Sequence, residues 1–142
     1  MINDAKTITA LSVDPGADHQ IALAEILPEA KLYFCAGRDG SLTALRKHRI
    51  AVVLCDSEAD WRGLLEHLKE IPDPPFLIVT SRLADDRLWS EALNLGAYDV
   101  LAKPFDSAEV TRVLTMACMR WAERSRPFRF RRCQQVTQPA FA

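Results

Sequence analysis

Glycine is scarce in this chain, with five in 142 residues, and no stretch carries the spacing GxGxxG. The turn after the first apolar run, "DPGAD", has a single glycine. Nothing there lets a backbone wrap a pyrophosphate, which counts against a dinucleotide or flavin carrier. Long apolar runs are missing too. None approaches the ~20 residues of a membrane span, and the opening "MINDAKTITALSV" has no basic segment leading into an apolar one. The chain therefore reads as cytoplasmic. Charge of one sign is also lacking: 18 Lys and Arg stand against 19 Asp and Glu, a formal net charge of -1. No broad field invites a nucleic acid or a membrane surface. The cysteines, Cys35, Cys55, Cys118 and Cys133, show no CxxC spacing, and two lie inside apolar strand-like runs. They read as core thiols rather than as a zinc or disulfide set. His19, His48 and His67 share no spacing and read as surface or partly buried residues, not as ligands or phosphate carriers.

What is present is an ordinary globular composition, 49% hydrophobic and 26% charged, in a length that suits one core. Five short apolar runs recur, at 7–13, 31–36, 50–55, 75–80 and 98–102. The third and fourth are almost continuously apolar, as strands covered on both faces should be. Helical periodicity fills the gaps: Ile21, Leu23, Ala24 and Leu27; Leu42, Ala44 and Leu45; Leu64, Leu65 and Leu68; Leu88, Ala92, Leu93 and Leu95; and finally Val110, Val113, Leu114, Ala117 and Trp121. "DSAEV" offers Asp106 or Ser107 as an N-cap, and Gly96 follows "EALNL", where a left-handed C-cap belongs. Trp61, Trp89 and Trp121 are expected to anchor helix faces, with Trp89 also placed for a partner. Strand and helix alternate five times, the pattern of a doubly wound α/β fold on a parallel sheet.

In such sheets ligands bind beyond the carboxyl ends of the strands. The first strand delivers Asp14 there, the third Asp56, the fourth Thr80 and Ser81, and the fifth Lys103 followed by Pro104. Two close carboxylates favour a hard divalent cation such as Mg2+, held through oxygen with several waters retained. A phosphoryl group arriving at one carboxylate needs its charge met by the metal, by an ammonium and by a hydroxyl. Lys103 and Thr80 suit the last two roles, and Pro104 fixes the turn that aims the lysine.

In this order of residues, and above all in "LIVTSRLADDRLWSEALNLGAYDVLAKPFD", residues 7–122 resemble the receiver domain of two-component response regulators. The resemblance implies a flavodoxin-like (βα)5 fold, strand order 2-1-3-4-5. It implies a phosphoryl group passed from a sensor histidine kinase or a phosphotransfer protein to Asp56. Asp14 would then be the acidic Mg2+ ligand beside Asp56, Thr80 the hydroxyl that turns to the phosphoryl group, and Lys103 its ammonium partner. Glu58 joins the metal-site candidates and brings a further carboxylate that would repel a phosphoryl group.

The chain also departs from the pattern. Receivers usually end the first strand with two adjacent acids, whereas Asp14 is followed by Pro15, so that Asp18 would have to fold back to help. The loop "DSEADWRGLL" lacks the usual proline, and Val100 stands where many receivers carry a switch tyrosine or phenylalanine. Tyr98, two residues earlier, is expected on the same side of the strand. These departures leave an alternative, a degenerate pseudo-receiver that binds partners without phosphorylation.

Residues 1–124 are taken as the receiver domain and 125–142 as a tail in which arginines alternate with Phe128 and Phe130. That tail reads either as frayed chain or as a binder of nucleic acid or an acidic partner. No DNA-binding or other output domain is expected after it. Output is expected through protein contacts, to a downstream target or a second copy, using helix 4, strand 5 and helix 5.

Overall fold

The structure, a computed structural model, describes residues 8–137, with side chains as far as residue 124. Five strands alternate with five helices: β1 (Thr9–Val13), α1 (Ala17–Ile26), β2 (Lys31–Cys35), α2 (Arg38–Lys47), β3 (Val52–Asp56), α3 (Trp61–Leu68), β4 (Phe76–Ser81), α4 (Asp86–Leu95), β5 (Asp99–Ala102) and α5 (Ser107–Thr137). All neighbouring strands pair in parallel, in the order β2-β1-β3-β4-β5. The two expected continuous apolar runs are β3 and β4, both interior strands whose residues are buried on either face.

Alternation along the strands sorts the core into two layers. Ala10, Val52, Leu54, Ile78 and Leu101 pack with Leu23 of α1 and with Val110, Val113, Leu114 and Ala117 of α5. Leu11, Val13, Val53, Cys55, Leu77, Val79 and Val100 point the other way, against α2, α3 and α4. The third and fifth apolar stripes of the sequence therefore sit as expected. The first and fourth are narrower than their residues suggest. Ile21 is 57% exposed, and Leu93 and Leu95 also face outward, so Leu23 and Ala92 are the fully buried contacts of α1 and α4. A ten-residue helix lying flat on a sheet turns only part of its circumference inward.

The helix limits follow from local chemistry. Asp85 caps α4 by accepting from Leu88 N at 2.9 Å, Asp60 caps α3 through Gly63 N at 3.0 Å, and Asp106 caps α5 through Glu109 N at 2.9 Å. Gly96 ends α4 at φ 112°, and a Cβ placed there would meet only Lys69 Cε at 3.9 Å. The strain of Gly96→Ala is thus backbone strain alone, and a loss of about 1–2 kcal/mol is expected in urea unfolding.

At the end of the sheet away from the strand carboxyl termini, Trp121 donates Nε1 to the Asp73 carbonyl at 3.3 Å, with the Arg49 guanidinium 4.5 Å from its ring centre. Beyond this anchor α5 runs on to Thr137, through much of the segment expected as a tail. The side chains of that segment, including its arginines, Phe128, Phe130 and Cys133, lie outside the described residues. Among the described residues no helix is long and apolar enough to cross a membrane.

Candidate functional site

Asp14, Asp56 and Lys103 each stand at or just beyond a strand end and are held there by the sheet's own ladder. Asp14 N donates to Cys35 O at 3.0 Å, Ser57 N to Thr80 O at 2.8 Å and Lys103 N to Ser81 O at 2.9 Å. Asp56 and Asp14 share the strand parity of Leu54 and Ala10, so both project on the side of α1 and α5. The turn after β5 holds a cis peptide bond between Lys103 and Pro104. The carboxyl edge of the sheet holds an open cleft of about 500 Å³, whose lining includes Asp14, His19, Asp56, Glu58, Ser81 and Lys103.

The centre of the cleft is the Lys103 ammonium, whose side chain is 2% exposed. It donates to Asp14 Oδ2 and Asp56 Oδ1, both at 2.5 Å, and lies 3.1 Å from His19 Nδ1. The remaining carboxylate oxygens are taken by backbone: Asp14 Oδ1 accepts from Gly16 N at 2.8 Å and Asp56 Oδ2 from Glu58 N at 2.9 Å. Each carboxylate therefore turns one oxygen to the protein and one to the cation. Gln20 ties the start of α1 to this edge by donating Nε2 to Cys35 O at 3.1 Å and Asp14 O at 3.3 Å.

The expected residues are not all used alike. Thr80 pairs with Asp56 in the β3–β4 register and is buried, but the wall of the cleft is formed by Ser81, whose hydroxyl accepts from Ser57 Oγ at 2.8 Å and from Leu83 N at 3.0 Å. Glu58 is exposed and stands on the rim. Asp18 is exposed and does not line the cleft; His19, the next residue, does. Sequence spacing gave no sign of His19, because its approach depends on the turn at Pro15 and Gly16 closing the chain back over Asp14. Tyr98 also departs from expectation. It packs with Phe76 in the layer of α1 and α5, whereas Val100 lies in the opposite layer. Tyr98 precedes β5 in the turn out of α4, so strand alternation does not apply to it.

Cys55, adjacent to Asp56, is buried, and burial followed by the neighbouring carboxylates pushes its thiol up to about 12. It stays protonated at neutral pH and offers no competing nucleophile beside the aspartate.

The donor set suits a divalent cation in kind. Two buried carboxylates already converge on one positive centre, and a Mg2+ ion completes its shell with water. Among the described residues, no three carboxylate, imidazole or thiol groups are drawn together at metal-ligand spacing. The Lys103 ammonium occupies the space between the two carboxylates.

No family model matches the chain. Among solved structures, the signal receiver domain of an HD domain-containing protein from Pseudomonas fluorescens Pf-5 superposes with a TM-score of 0.74 at 23% identity, over 89% of this chain and 96% of that one. A response regulator from Thermotoga maritima gives 0.72 at 21% identity, over 80% and 98%. The fold is that of a response regulator receiver domain. NtrX from Brucella abortus extends the likeness to a larger protein, with a TM-score of 0.80 at 23% identity, over 88% of this chain and 29% of that one. In sequence, a protein-glutamate methylesterase/protein-glutamine glutaminase of Desulfotalea psychrophila is 41% identical over 56 residues. That match takes in 38% of this chain and only 15% of the relative, whose named activities are said of that protein alone. In this fold the carboxyl edge of β1, β3 and β5 brings Asp14, Asp56 and Lys103 together in the cleft.

Proposed function

We propose that this receiver fold accepts a phosphoryl group on Asp56 from a sensor histidine kinase or a phosphotransfer protein and signals through protein contacts. The observation that carries the reading is the convergence of Asp56 with Asp14 and Lys103 in one open cleft, on a fold shared with receiver domains. An Asp56 carboxylate oxygen bonds to phosphorus as the bond from phosphorus to the donor's imidazole nitrogen breaks, its electron pair leaving with the imidazole. The three phosphoryl oxygens then need positive charge. Lys103 supplies an ammonium already aimed at Asp56, while Thr80, opposite Asp56 in the register, and Ser81 supply hydroxyls. Mg2+, with Asp14 and Asp56 as its carboxylates and Glu58 at the rim, would add charge stabilisation of the phosphoryl oxygens. Output would pass through α4, β5 and α5, where Trp89, Leu93 and Leu95 already put apolar surface on the outside of α4.

A second reading, a pseudo-receiver that binds partners without phosphorylation, is favoured by Pro15 next to Asp14 and by the Glu58 carboxylate at the cleft mouth. Incubation with acetyl phosphate and Mg2+, followed by intact-mass spectrometry, separates the two. The phosphoacceptor reading expects one hydroxylamine-labile phosphoryl adduct that is absent from Asp56→Ala and from Mg2+-free buffer. Folded wild-type protein that stays unmodified would overturn it in favour of the pseudo-receiver.

A further inference from the structure

The small net charge hides a segregation along the chain. Residues 1–123 hold all 19 Asp and Glu and 13 of the 18 Lys and Arg, a formal charge of -6, whereas residues 124–142 hold the other five arginines and no acid. The fold sets where that basic segment begins. Val110, Val113, Leu114, Ala117, Cys118 and Trp121 are the buried positions of α5. The residues that continue their spacing are Arg124, Phe128, Arg131, Arg132 and Gln135, so the apolar stripe gives way to a mainly cationic one after Trp121. Arg124 is the last fastening: it donates Nη2 to the Pro74 carbonyl at 2.6 Å, with its guanidinium 4.5 Å from the Phe76 ring centre. α5 nevertheless continues for thirteen residues more, to Thr137, about 20 Å of helix at 1.5 Å per residue. So many like charges repel one another, and a helix of that length is marginal by itself. A partner that neutralises the charge is what favours the helix.

The surface beside this exit is basic as well. The last turn of α2 and the residues after it are Arg46, Lys47, His48 and Arg49, all exposed. Arg49 sets its guanidinium 4.5 Å from the ring centre of Trp121, and His48 stacks on Tyr33 at 4.0 Å, so the run is held where α5 leaves the domain. Asp73 lines the same corner and Glu123 precedes Arg124, which still leaves the corner cationic.

We infer that the extension of α5, with Arg46, Lys47 and Arg49 at its base, is a binding surface for the phosphate backbone of duplex DNA, at the end of the sheet opposite the Asp56 cleft. At 3.6 residues per turn, the positions of the five arginines spread over more than half the helix circumference. An acidic protein face would meet one side of such a helix. The major groove of B-DNA admits an α-helix and carries phosphates along both walls, so it meets the charge on either side. The extension uses arginine and no lysine, and the guanidinium fork suits two phosphate oxygens at once. Contacts of this kind position a protein on the duplex without reading sequence. They need no phosphoryl group on Asp56, so the inference stands apart from the reading above.

The test is fluorescence anisotropy of a labelled duplex of arbitrary sequence, titrated with the full, unphosphorylated chain at several salt concentrations. Affinity is expected to fall roughly a hundredfold between 50 and 200 mM salt. Joint replacement Arg129→Gln, Arg131→Gln and Arg132→Gln should weaken binding roughly tenfold or more and lower the slope of log affinity against log salt by about two to three. Arg46→Gln with Lys47→Gln, which leaves α5 untouched, should lower it by about one to two. Arg87→Gln, at an exposed position in the first turn of α4, should change neither affinity nor slope. Wild type that binds the duplex no more tightly than the triple variant overturns the inference, since the extension is then no contact. Poly-glutamate that displaces the duplex as well, charge for charge, as unlabelled duplex does overturns it in favour of an acidic protein. An RNA hairpin bound tenfold more tightly than the duplex overturns it in favour of RNA.

Discussion

Lys103→Met is expected to destabilise the metal-free protein by about 3–5 kcal/mol, the usual cost of removing one partner from a buried ion pair. The side chains of Asp14 and Asp56 are 5% and 8% exposed, and each aims one oxygen at the ammonium. Methionine fills a similar volume but leaves two carboxylates facing each other with no counter-charge and little water. Urea unfolding in chelator should show the loss, and added divalent cation should restore much more stability to the variant than to wild type, because the ion enters where the ammonium was. Asp56→Asn is the contrasting case. It removes one of two anions around a single cation, but asparagine has one oxygen for two donors, so its amide nitrogen must face either Glu58 N or the ammonium, and a smaller loss of about 1–3 kcal/mol is expected. In the double variant the two effects should fall well short of adding to the Lys103→Met loss, since only Asp14 then stands unpaired. A Lys103→Met protein as stable as wild type in chelator would mean that the cleft takes in enough water to solvate both carboxylates, and that the lysine is not its keystone.

The two layers of the core explain how much of this was legible beforehand. Strands with near-continuous apolar character, β3 and β4, announce an interior position, and a parallel sheet then forces their carboxyl ends to one edge. Asp56, Asp14 and Lys103 could be assembled on that edge from strand order alone. What strand order does not carry is the shape of turns. His19 meets a lysine 84 residues away only because Pro15 and Gly16 bend the chain back at the end of β1, and nothing in the spacing of histidines signals such a bend. The same limit applies to Tyr98. Its side would follow from alternation if it were in β5, but it sits in the preceding turn, where alternation has no force. Helix faces were legible where burial is wide, as at Leu64, Leu65 and Leu68, and overdrawn where a short helix presents a narrow face, as at Ile21, Leu93 and Leu95. Strand order also places Thr80 as the register partner of Asp56, while the turn that follows brings the next residue, Ser81, to the wall of the cleft.

Trp61 should prove the most costly tryptophan to truncate. It is 1% exposed and opens α3, whose eight residues bury four side chains against the sheet, Trp61, Leu64, Leu65 and Leu68. A helix of that length has little stability of its own, so its packed face holds it in place. Trp61→Ala is expected to cost about 3–5 kcal/mol in urea unfolding, whereas Trp89→Ala, at a position 45% exposed on α4, should stay within about 0.5 kcal/mol. The consequence reaches the cleft. Ala59 N donates to Asp56 O at 2.9 Å and Trp61 N to Ala59 O at 2.8 Å, so the turn between the acceptor aspartate and α3 is pinned at its far end by the tryptophan. Loosening that end frees the Ser57–Asp60 segment, and with it the Glu58 amide that holds Asp56 Oδ2. Hydrogen exchange at the Glu58 and Ala59 amides should therefore accelerate in Trp61→Phe, which keeps most of the buried area and the fold, and stay unchanged in Trp89→Ala. Equal protection in both variants would mean that the aspartate's loop is held by the sheet edge alone, through the bond from Ser57 N to Thr80 O.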